Sequence, residues 1–154
     1  LWKRCVADNI PMIIIEDDAV LGEDFLTHLR QAMKHIAEYD PGFLYLQSKV
    51  AVWGEYCKEL VPGLEIKQAK YTWETGGYVV WPQTAATLLS HLPMNRPVDD
   101  FLAERAYYGD IRAYACCPQI ISQRDQHGDS DIDHTGVMSQ EEFHEKMIPL
   151  LKRL

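Results

Sequence analysis

The sequence lacks the features that mark membrane-spanning and secreted proteins. No apolar run approaches the roughly 18 residues of a membrane-spanning helix, and the chain does not begin with a signal peptide. These absences favour the cytoplasm, with peripheral association with a membrane left open. If the protein is eukaryotic and an N-terminal segment is missing, the expected compartment becomes the lumen of the ER or Golgi.

Cysteines and basic residues are also scarce. The four cysteines form no Cys-x-x-Cys pair and no zinc-binding spacing, so we expect reduced thiols that lie mostly in the core. The chain has 15 lysines and arginines against 23 aspartates and glutamates, which gives a formal net charge of -8. Because the sequence has no basic stripe, nucleic acid is not expected as a partner. An anionic ligand would need a divalent cation to bridge it to so acidic a protein.

The length of 154 residues predicts a single domain with a real core. The first residues, 1–7, have the pattern of the last turns of an amphipathic helix with no cap before it, which suggests a missing leading segment. At the other end, a capping box at Ser139 predicts a C-terminal amphipathic helix over residues 139–153. Pro149 would kink or end that helix.

The segment from Met12 to Val20 joins an isoleucine-rich strand to three consecutive carboxylates. The apolar part predicts a strand covered on both faces, as in a parallel sheet. Glu16, Asp17 and Asp18 follow it directly, and like charges on adjacent residues are usually relieved by a cation. Open α/β sheets bind ligands beyond the carboxyl ends of their strands, so the segment indicates a metal-assisted site. A solvated acidic turn would fit the same residues.

The elements that follow predict an α/β fold. Helical spacing over residues 23–37 predicts a helix, and residues 43–47 predict a second buried strand. Strand, helix and strand form a βαβ unit with a locally parallel sheet. Residues 50–53 and 64–71 predict two short strands across a polar loop. Further helices are expected from Pro82 to His91 and from Val98 to about Tyr107, before two late strands over residues 111–116 and 119–122.

Aromatic residues and glycines between these elements allow a functional and a structural interpretation. Trp53, Tyr56, Tyr71 and Trp73 could form a platform for the apolar face of a sugar, or they could pack in the core. The glycine pair at residues 76 and 77 opens a β-branched run. It indicates a close approach of the backbone to a ligand or another segment, or else a bulge or turn.

A second acidic pair, Asp99 and Asp100, opens the helix that begins at Val98. Asp99 is a plausible helix cap. Alternatively, the pair faces the first acidic cluster across a cleft and supplies a general base. Near the C-terminus, His127 is either a solvated loop residue or a further metal ligand beside Asp18. A regular calcium-binding loop is excluded there, because His134 stands where such a loop needs glycine.

Taken together, four blocks of sequence resemble glycosyltransferase family 25. They are the segment from Ile13 to Phe25, the segment from Thr75 to Leu89, the Arg-Pro-Val-Asp-Asp-Phe-Leu segment ending at Leu102, and the Ser-Asp-Ile triplet ending at Ile132. The family includes bacterial lipopolysaccharide and lipooligosaccharide galactosyltransferases and the procollagen galactosyltransferases. Its members normally begin with a further nucleotide-binding strand, which this sequence lacks.

The resemblance implies a Rossmann-like mixed sheet flanked by helices, of the GT-A kind and partial here. It implies inverting transfer of a sugar from a UDP-sugar such as UDP-galactose to an acceptor glycan or glycoprotein, with Mn²⁺ or Mg²⁺. By motif, Asp18 is the expected metal ligand, with Asp17 and His127 beside it. Glu16, Asp17, Gly76, Gly77 and Tyr78 are expected at the donor, and Asp99 or Asp100 as catalytic base.

Two other functions are compatible with the same residues. A metal-dependent phosphohydrolase also uses clustered carboxylates, but it would need a second set of metal ligands. A carbohydrate-binding or assembly module of the same fold would keep the architecture without turnover. Metal-dependent binding of a nucleotide-sugar is the property that separates the first hypothesis from these two.

Overall fold

The computed structural model describes residues 1–124, which contain four helices and six strands. In chain order these elements are α1 (Trp2–Asp8), β1 (Met12–Ile15), β2 (Ala19–Leu21), α2 (Phe25–Tyr39), β3 (Phe43–Val61), β4 (Leu64–Val80), α3 (Pro82–Ser90), α4 (Val98–Tyr107), β5 (Ala113–Cys117) and β6 (Ile121–Gln123). The predicted C-terminal helix, His127 and His134 lie outside the described residues. None of the described helices has the length and apolarity needed to cross a membrane.

The main sheet is mixed, with the strand order β1, β4, β3, β5. Strand β4 runs antiparallel to both β1 and β3, whereas β3 and β5 pair in parallel. Strands β2 and β6 form a separate antiparallel pair. The predicted mixed α/β architecture with helices flanking a sheet is thus confirmed, and it is compatible with a glycosyltransferase fold.

The helices cover the two faces of this sheet. Side chains alternate along β3, so that Phe43 and Tyr45 join one buried cluster while Leu44 and Leu46 join another. The first cluster includes residues of α1, α3 and α4, and the second includes four residues of α2. The sheet therefore lies between α2 on one side and the other three helices on the opposite side.

The prediction for β1 was wrong in its burial and its pairing. Strand β1 is an edge strand paired antiparallel to β4, and Ile13 and Ile15 are 44% and 39% exposed. Only Met12 and Ile14 pack against the core. The predicted parallel pairing of β1 with β3 also fails, because β4 lies between them. The two strands do share a direction, since each is antiparallel to β4.

The region predicted as two short strands and a loop is a single long hairpin. Strands β3 and β4 pair along most of their length and turn at Pro62 and Gly63, where Gly63 has a φ of 86°. Several register shifts interrupt the pairing, and such bulges hide the alternation by which a strand is recognised in sequence. The sheet extends much further than the pattern of apolar residues indicates.

The helices match their predictions more closely. Helix α3 has Pro82 in its first turn, and α4 has the predicted bounds. One detail was wrong, because the N-cap of α4 is Pro97 and Asp99 lies inside the first turn. Asp99 instead accepts a hydrogen bond from the backbone N–H of Asp100 at 3.0 Å. The cysteines are free, and Cys5 and Cys116 are buried as expected, while Cys57 is exposed.

Candidate functional site

The acidic turn, residues 16–18, is held by backbone hydrogen bonds on both sides. The Glu16 N–H donates to the Gly76 carbonyl oxygen at 3.0 Å, which attaches the turn to β4. The Arg124 N–H donates to the Asp18 carbonyl oxygen at 3.0 Å, just beyond the end of β6. The turn therefore occupies the position where β1 ends and β2 begins, anchored to two other strands.

Within this turn, Asp18 differs from its two neighbours. Glu16 and Asp17 are exposed, whereas Asp18 is half-buried. The Oδ1 atom of Asp18 is buried and has no hydrogen-bond partner among residues 1–124. Leaving a carboxylate oxygen buried and unpaired costs free energy, which a bound cation would offset. Asp18 is therefore the residue of the turn that best fits the role of a metal ligand.

The three carboxylates do not converge into a full ligand set. In the part of the chain that the structure describes, no group of three or more His, Cys, Asp or Glu side chains is placed to hold a metal ion. Mg²⁺ at phosphate-binding sites usually keeps several waters and binds one or two carboxylates together with substrate phosphates. A site with Asp18 as its main protein ligand fits that pattern. The metal roles of Asp17 and His127 stay predictions.

The second acidic pair lies in the first turn of α4, where both carboxylates are half-buried. Burial raises the pKa of Asp100, and the negative charge of Asp99 raises it further, while the nearby Arg96 lowers it. Asp100 also raises the pKa of Tyr71, for which burial is the larger cause. Asp100 thus lies beside an aromatic side chain of β4.

The two acidic segments influence each other electrostatically. Partial burial raises the pKa of Glu16, and the charges of Asp18, Asp99 and Asp17 add to that rise. The Gln123 side chain opposes it by donating a hydrogen bond from Nε2 to Glu16 Oε2 at 3.3 Å. A residue of α4 therefore shares an electrostatic environment with a turn that lies about 80 residues earlier in the chain.

The glycine pair lies next to the acidic turn in a bulge of β4. Between the pairs Gln47 with Gly77 and Lys49 with Trp73, β4 contains extra residues, including Glu74 with a φ of 59°. The Gly76 N–H donates to Gln47 Oε1 at 2.7 Å, and a Cβ at Gly76 would collide with that side chain. The close approach is thus to another segment of the chain, which was one of the predicted alternatives.

Gly77 and Tyr78 are packed against the protein interior. A Cβ at Gly77 would lie 2.8 Å from Cδ1 of Ile121. The Tyr78 ring stacks on Phe43 with centroids 4.6 Å apart, and its hydroxyl accepts a hydrogen bond from Trp2 Nε1 at 3.2 Å. Both residues help to position the site, and their contact with a donor sugar stays a prediction.

The four aromatic residues considered as a sugar platform lie in different environments. Tyr71 is buried, and its ring lies edge-on to Trp73. Tyr56 stacks on Tyr39 with centroids 4.4 Å apart and hydrogen-bonds His35 at 2.6 Å. Only Trp53 among the four is strongly exposed, at 45%.

Sequence analysis did not identify Gln47 and Gln123 as part of this site. Gln47 is buried at the end of an apolar strand segment, and its amide holds the Gly76 backbone. A lone polar residue closing an apolar run was the available signal. Gln123 gave no such signal, because its contact with Glu16 depends on the pairing of β6 with β2.

Comparison with known protein families gives a match that covers both acidic segments. The model of glycosyltransferase family 25, described as an LPS biosynthesis protein, matches residues 1–102 of the 154. The chain belongs to glycosyltransferase family 25. Membership makes this family-25 protein a glycosyltransferase rather than a phosphohydrolase, and such enzymes use nucleotide-sugars and glycan acceptors. A comparison with curated proteins finds no match.

Proposed function

We propose that this family-25 protein transfers galactose from UDP-galactose to a hydroxyl of an acceptor glycan or glycoprotein, with inversion at the anomeric carbon and with Mn²⁺ or Mg²⁺ bound. The observation that carries the proposal is the electrostatic coupling of the two acidic segments, because the charge of Asp99 adds to the rise that burial and Asp18 cause in the pKa of Glu16. Transfer of this kind needs a place for the diphosphate and a base for the acceptor. The two segments supply one each.

Asp18 is the proposed main ligand of the cation. Its buried Oδ1 has no hydrogen-bond partner among residues 1–124, so a cation would remove an unfavourable interaction already built into the fold. When bound, a divalent cation neutralises the negative charge that develops on the departing diphosphate. The exposed carboxylates of Glu16 and Asp17 lie beside it and are proposed to orient the donor.

Asp100 is the proposed catalytic base, with Asp99 as the alternative. Inversion takes place in one displacement, so the acceptor hydroxyl must lose its proton as it attacks. Burial raises the pKa of Asp100, which makes the ionised carboxylate a stronger proton acceptor. One oxygen of Asp99, by contrast, already accepts a hydrogen bond from the Asp100 N–H.

Gly76, Gly77 and Tyr78 are proposed to line the donor side of the site. Gly76 is bonded through its carbonyl oxygen to Glu16 and through its N–H to Gln47. A side chain at either glycine would displace Gln47 or Ile121 and so shift the turn that presents Asp18. The two glycines let β4 lie close to Gln47 and Ile121 beside the acidic turn.

Calorimetry and product analysis on the full chain would test the proposal. UDP-galactose should bind only when Mn²⁺ or Mg²⁺ is present, and binding should disappear in Asp18→Ala. With a lipooligosaccharide core as acceptor, UDP should be released and NMR should show a product with inverted anomeric configuration. Nucleotide binding that is indifferent to metal and to Asp18→Ala would contradict the proposal. Binding of an acceptor sugar with no binding of nucleotide would favour a carbohydrate-binding module.

A further inference from the structure

A small cavity at the side of the sheet has the composition of a sugar-binding subsite. It has a volume of about 190 Å³ and lies between the middle of β3 and the end of β5 with the segment that follows it. Its walls include the Trp53 indole, Val50 and Pro118, together with the polar residues Ser48 and Gln119. The volume is well below the roughly 300–1,000 Å³ of sites for drug-sized ligands, so it suits one monosaccharide unit.

Trp53 is the residue that points to a ligand. It is 45% exposed, whereas Trp2 and Trp81 are 8% and 5% exposed. The Lys67 ammonium lies 5.9 Å from the centroid of the Trp53 ring and pairs with Glu65 at 2.6 Å. Trp53 also lines the cavity. An exposed indole beside a cavity offers a surface on which the apolar C–H face of a pyranose can stack.

The polar walls complement the aromatic one. Ser48 brings a hydroxyl group and Gln119 an amide, which together offer donors and acceptors to sugar hydroxyls. Binding sites for small ligands typically combine an apolar surface with a few polar groups that fix the orientation of the ligand. The cavity contains both elements within one small volume, which suits an uncharged saccharide better than a phosphate or a purely apolar ligand.

Both walls of the cavity are connected to the acidic site within a few residues. Ser48 follows Gln47, whose side chain binds the Gly76 N–H, and the Gly76 carbonyl oxygen accepts from the Glu16 N–H. On the other side, Gln119 precedes Ile120, whose N–H donates to the Leu46 carbonyl oxygen at 2.9 Å. Strand β6 begins directly afterwards and leads to Gln123, the hydrogen-bond partner of Glu16.

We propose that this cavity is an acceptor subsite in which Trp53 stacks on a sugar unit of the acceptor glycan next to the unit that receives the transferred sugar. The assignment to the acceptor rests on the proposed function, because a glycosyltransferase must hold an acceptor near its base. The binding of a saccharide at Trp53 rests on the cavity alone.

Ligand-observed NMR on the full chain tests the subsite, with methyl β-D-galactopyranoside and lactose as probes and without nucleotide or metal. The wild-type protein should bind at least one probe saturably, and saturation transfer should be strongest to the protons of one apolar ring face. Trp53→Ala should raise the Kd at least tenfold, and Trp53→Phe, which keeps an aromatic ring, should stay within about threefold of the wild type. Ser48→Ala and Gln119→Ala should each raise the Kd several-fold.

Tyr108→Ala is the matched control, because Tyr108 is 57% exposed and does not line the cavity. This variant should bind the probes as the wild type does. Thermal melting of Trp53→Ala, together with the behaviour of Trp53→Phe, separates loss of the subsite from loss of the fold. Equal affinity of Trp53→Ala and wild type, or no saturable binding of either probe by the wild type, would overturn the subsite.

The proposed function and the proposed subsite at Trp53 can be disproved independently of each other. If Asp18→Asn still supports transfer, the proposed role of Asp18 is wrong, while saccharide binding at Trp53 stands. If transfer depends on Asp18 but Trp53→Ala changes neither the probe Kd nor the KM for the acceptor, the subsite is wrong and the proposed function stands.

Discussion

The two acidic segments place the same residue type in two different environments. The acidic turn is a short connection between strands, with two exposed carboxylates and one buried oxygen that lacks a hydrogen-bond partner among the described residues. The start of α4 is a helical turn in which both carboxylates are half-buried. The turn offers an unpaired oxygen to a cation, and the helix offers a carboxylate whose pKa burial has raised.

Neither segment would suffice alone for the proposed transfer. A carboxylate that holds a cation needs to stay ionised, whereas a base needs a higher affinity for protons. The proposed function uses the acidic turn for the first role and the partly buried start of α4 for the second. The predictions below test whether the two segments differ as described.

The largest effect is expected from removing the base. Asp100→Asn should lower kcat about 10³-fold, because general-base catalysis contributes typically about 10²–10⁴-fold. Binding of UDP-galactose with Mn²⁺ should persist, since the cation and donor are assigned to the other segment. Steady-state kinetics and calorimetry on the same variant measure both properties. A larger loss in Asp99→Asn than in Asp100→Asn would transfer the role of base to Asp99.

The second-largest effect is expected from removing the cation or its ligand. Asp18→Asn, or treatment of the wild type with EDTA, should lower kcat/KM about 10²-fold or more, because the charge on the leaving diphosphate would lose its counterion. Added Mn²⁺ should restore the EDTA-treated wild type but not the variant. Asp17→Asn is the control, since its side chain is exposed, and it should lose less. Equal losses in the two variants would contradict the distinct role of Asp18.

A smaller effect, on stability, is expected where β4 holds the acidic turn. Gly76→Ala should lower the free energy of unfolding by about 1–3 kcal/mol, because the new methyl group displaces Gln47 and leaves buried polar groups unpaired. Gly77→Ala should cost less, since its closest contact is the terminal methyl of Ile121, at 2.8 Å. Urea denaturation of each variant measures this.

A double-mutant cycle with Gln47→Ala sharpens the test of Gly76. Removing the Gln47 side chain removes the collision, so the two substitutions together should cost less than the sum of their separate effects. Strict additivity would show that the Gly76 methyl group collides elsewhere. The cycle thus isolates the contact that holds β4 against β3 beside the turn.

The smallest effect concerns pH. Because the pKa of Asp100 is raised in the folded protein, kcat/KM should fall as the pH drops through that raised value, and this acidic limb should disappear in Asp100→Asn. The folded state holds this proton more tightly than the unfolded state does, so the stabilising contribution of Asp100 is fully present below its unfolded pKa. It is lost as the pH rises through the folded pKa.

The difference in stability between the wild type and Asp100→Asn should therefore change with pH. Relative to Asp100→Asn, the wild type should lose stability as the pH rises through the raised pKa of Asp100. Thermal melting of both proteins between pH 4 and pH 8 measures the difference. A wild type that gains stability over this window relative to the variant would contradict the raised pKa.

Local patterns in the sequence were enough for the helices and for the acidic motifs. Helix α3 begins with Pro82 as predicted, because proline at the first helical position needs only the chain itself to be recognised. The bounds of α4 follow in the same way from local spacing. The four blocks that resemble family 25 were also visible in the sequence. The family match over residues 1–102 covers the first three blocks and confirms the family, while the triplet ending at Ile132 lies outside the match.

The sequence by itself determined the helix faces, the carboxylate clusters and the family. Each of these depends on residues close together in the chain or on short sequence motifs. Only the tertiary structure decided that β4 lies between β1 and β3 and that Ile13 and Ile15 face outwards. It also decided that Glu16 hydrogen-bonds Gln123 and that the charge of Asp99 acts on Glu16. A strand's neighbours depend on pairing between distant segments, and isoleucines suit an edge strand and a central strand alike. The same holds for Asp18, whose unpaired oxygen becomes buried only when the rest of the fold closes around it.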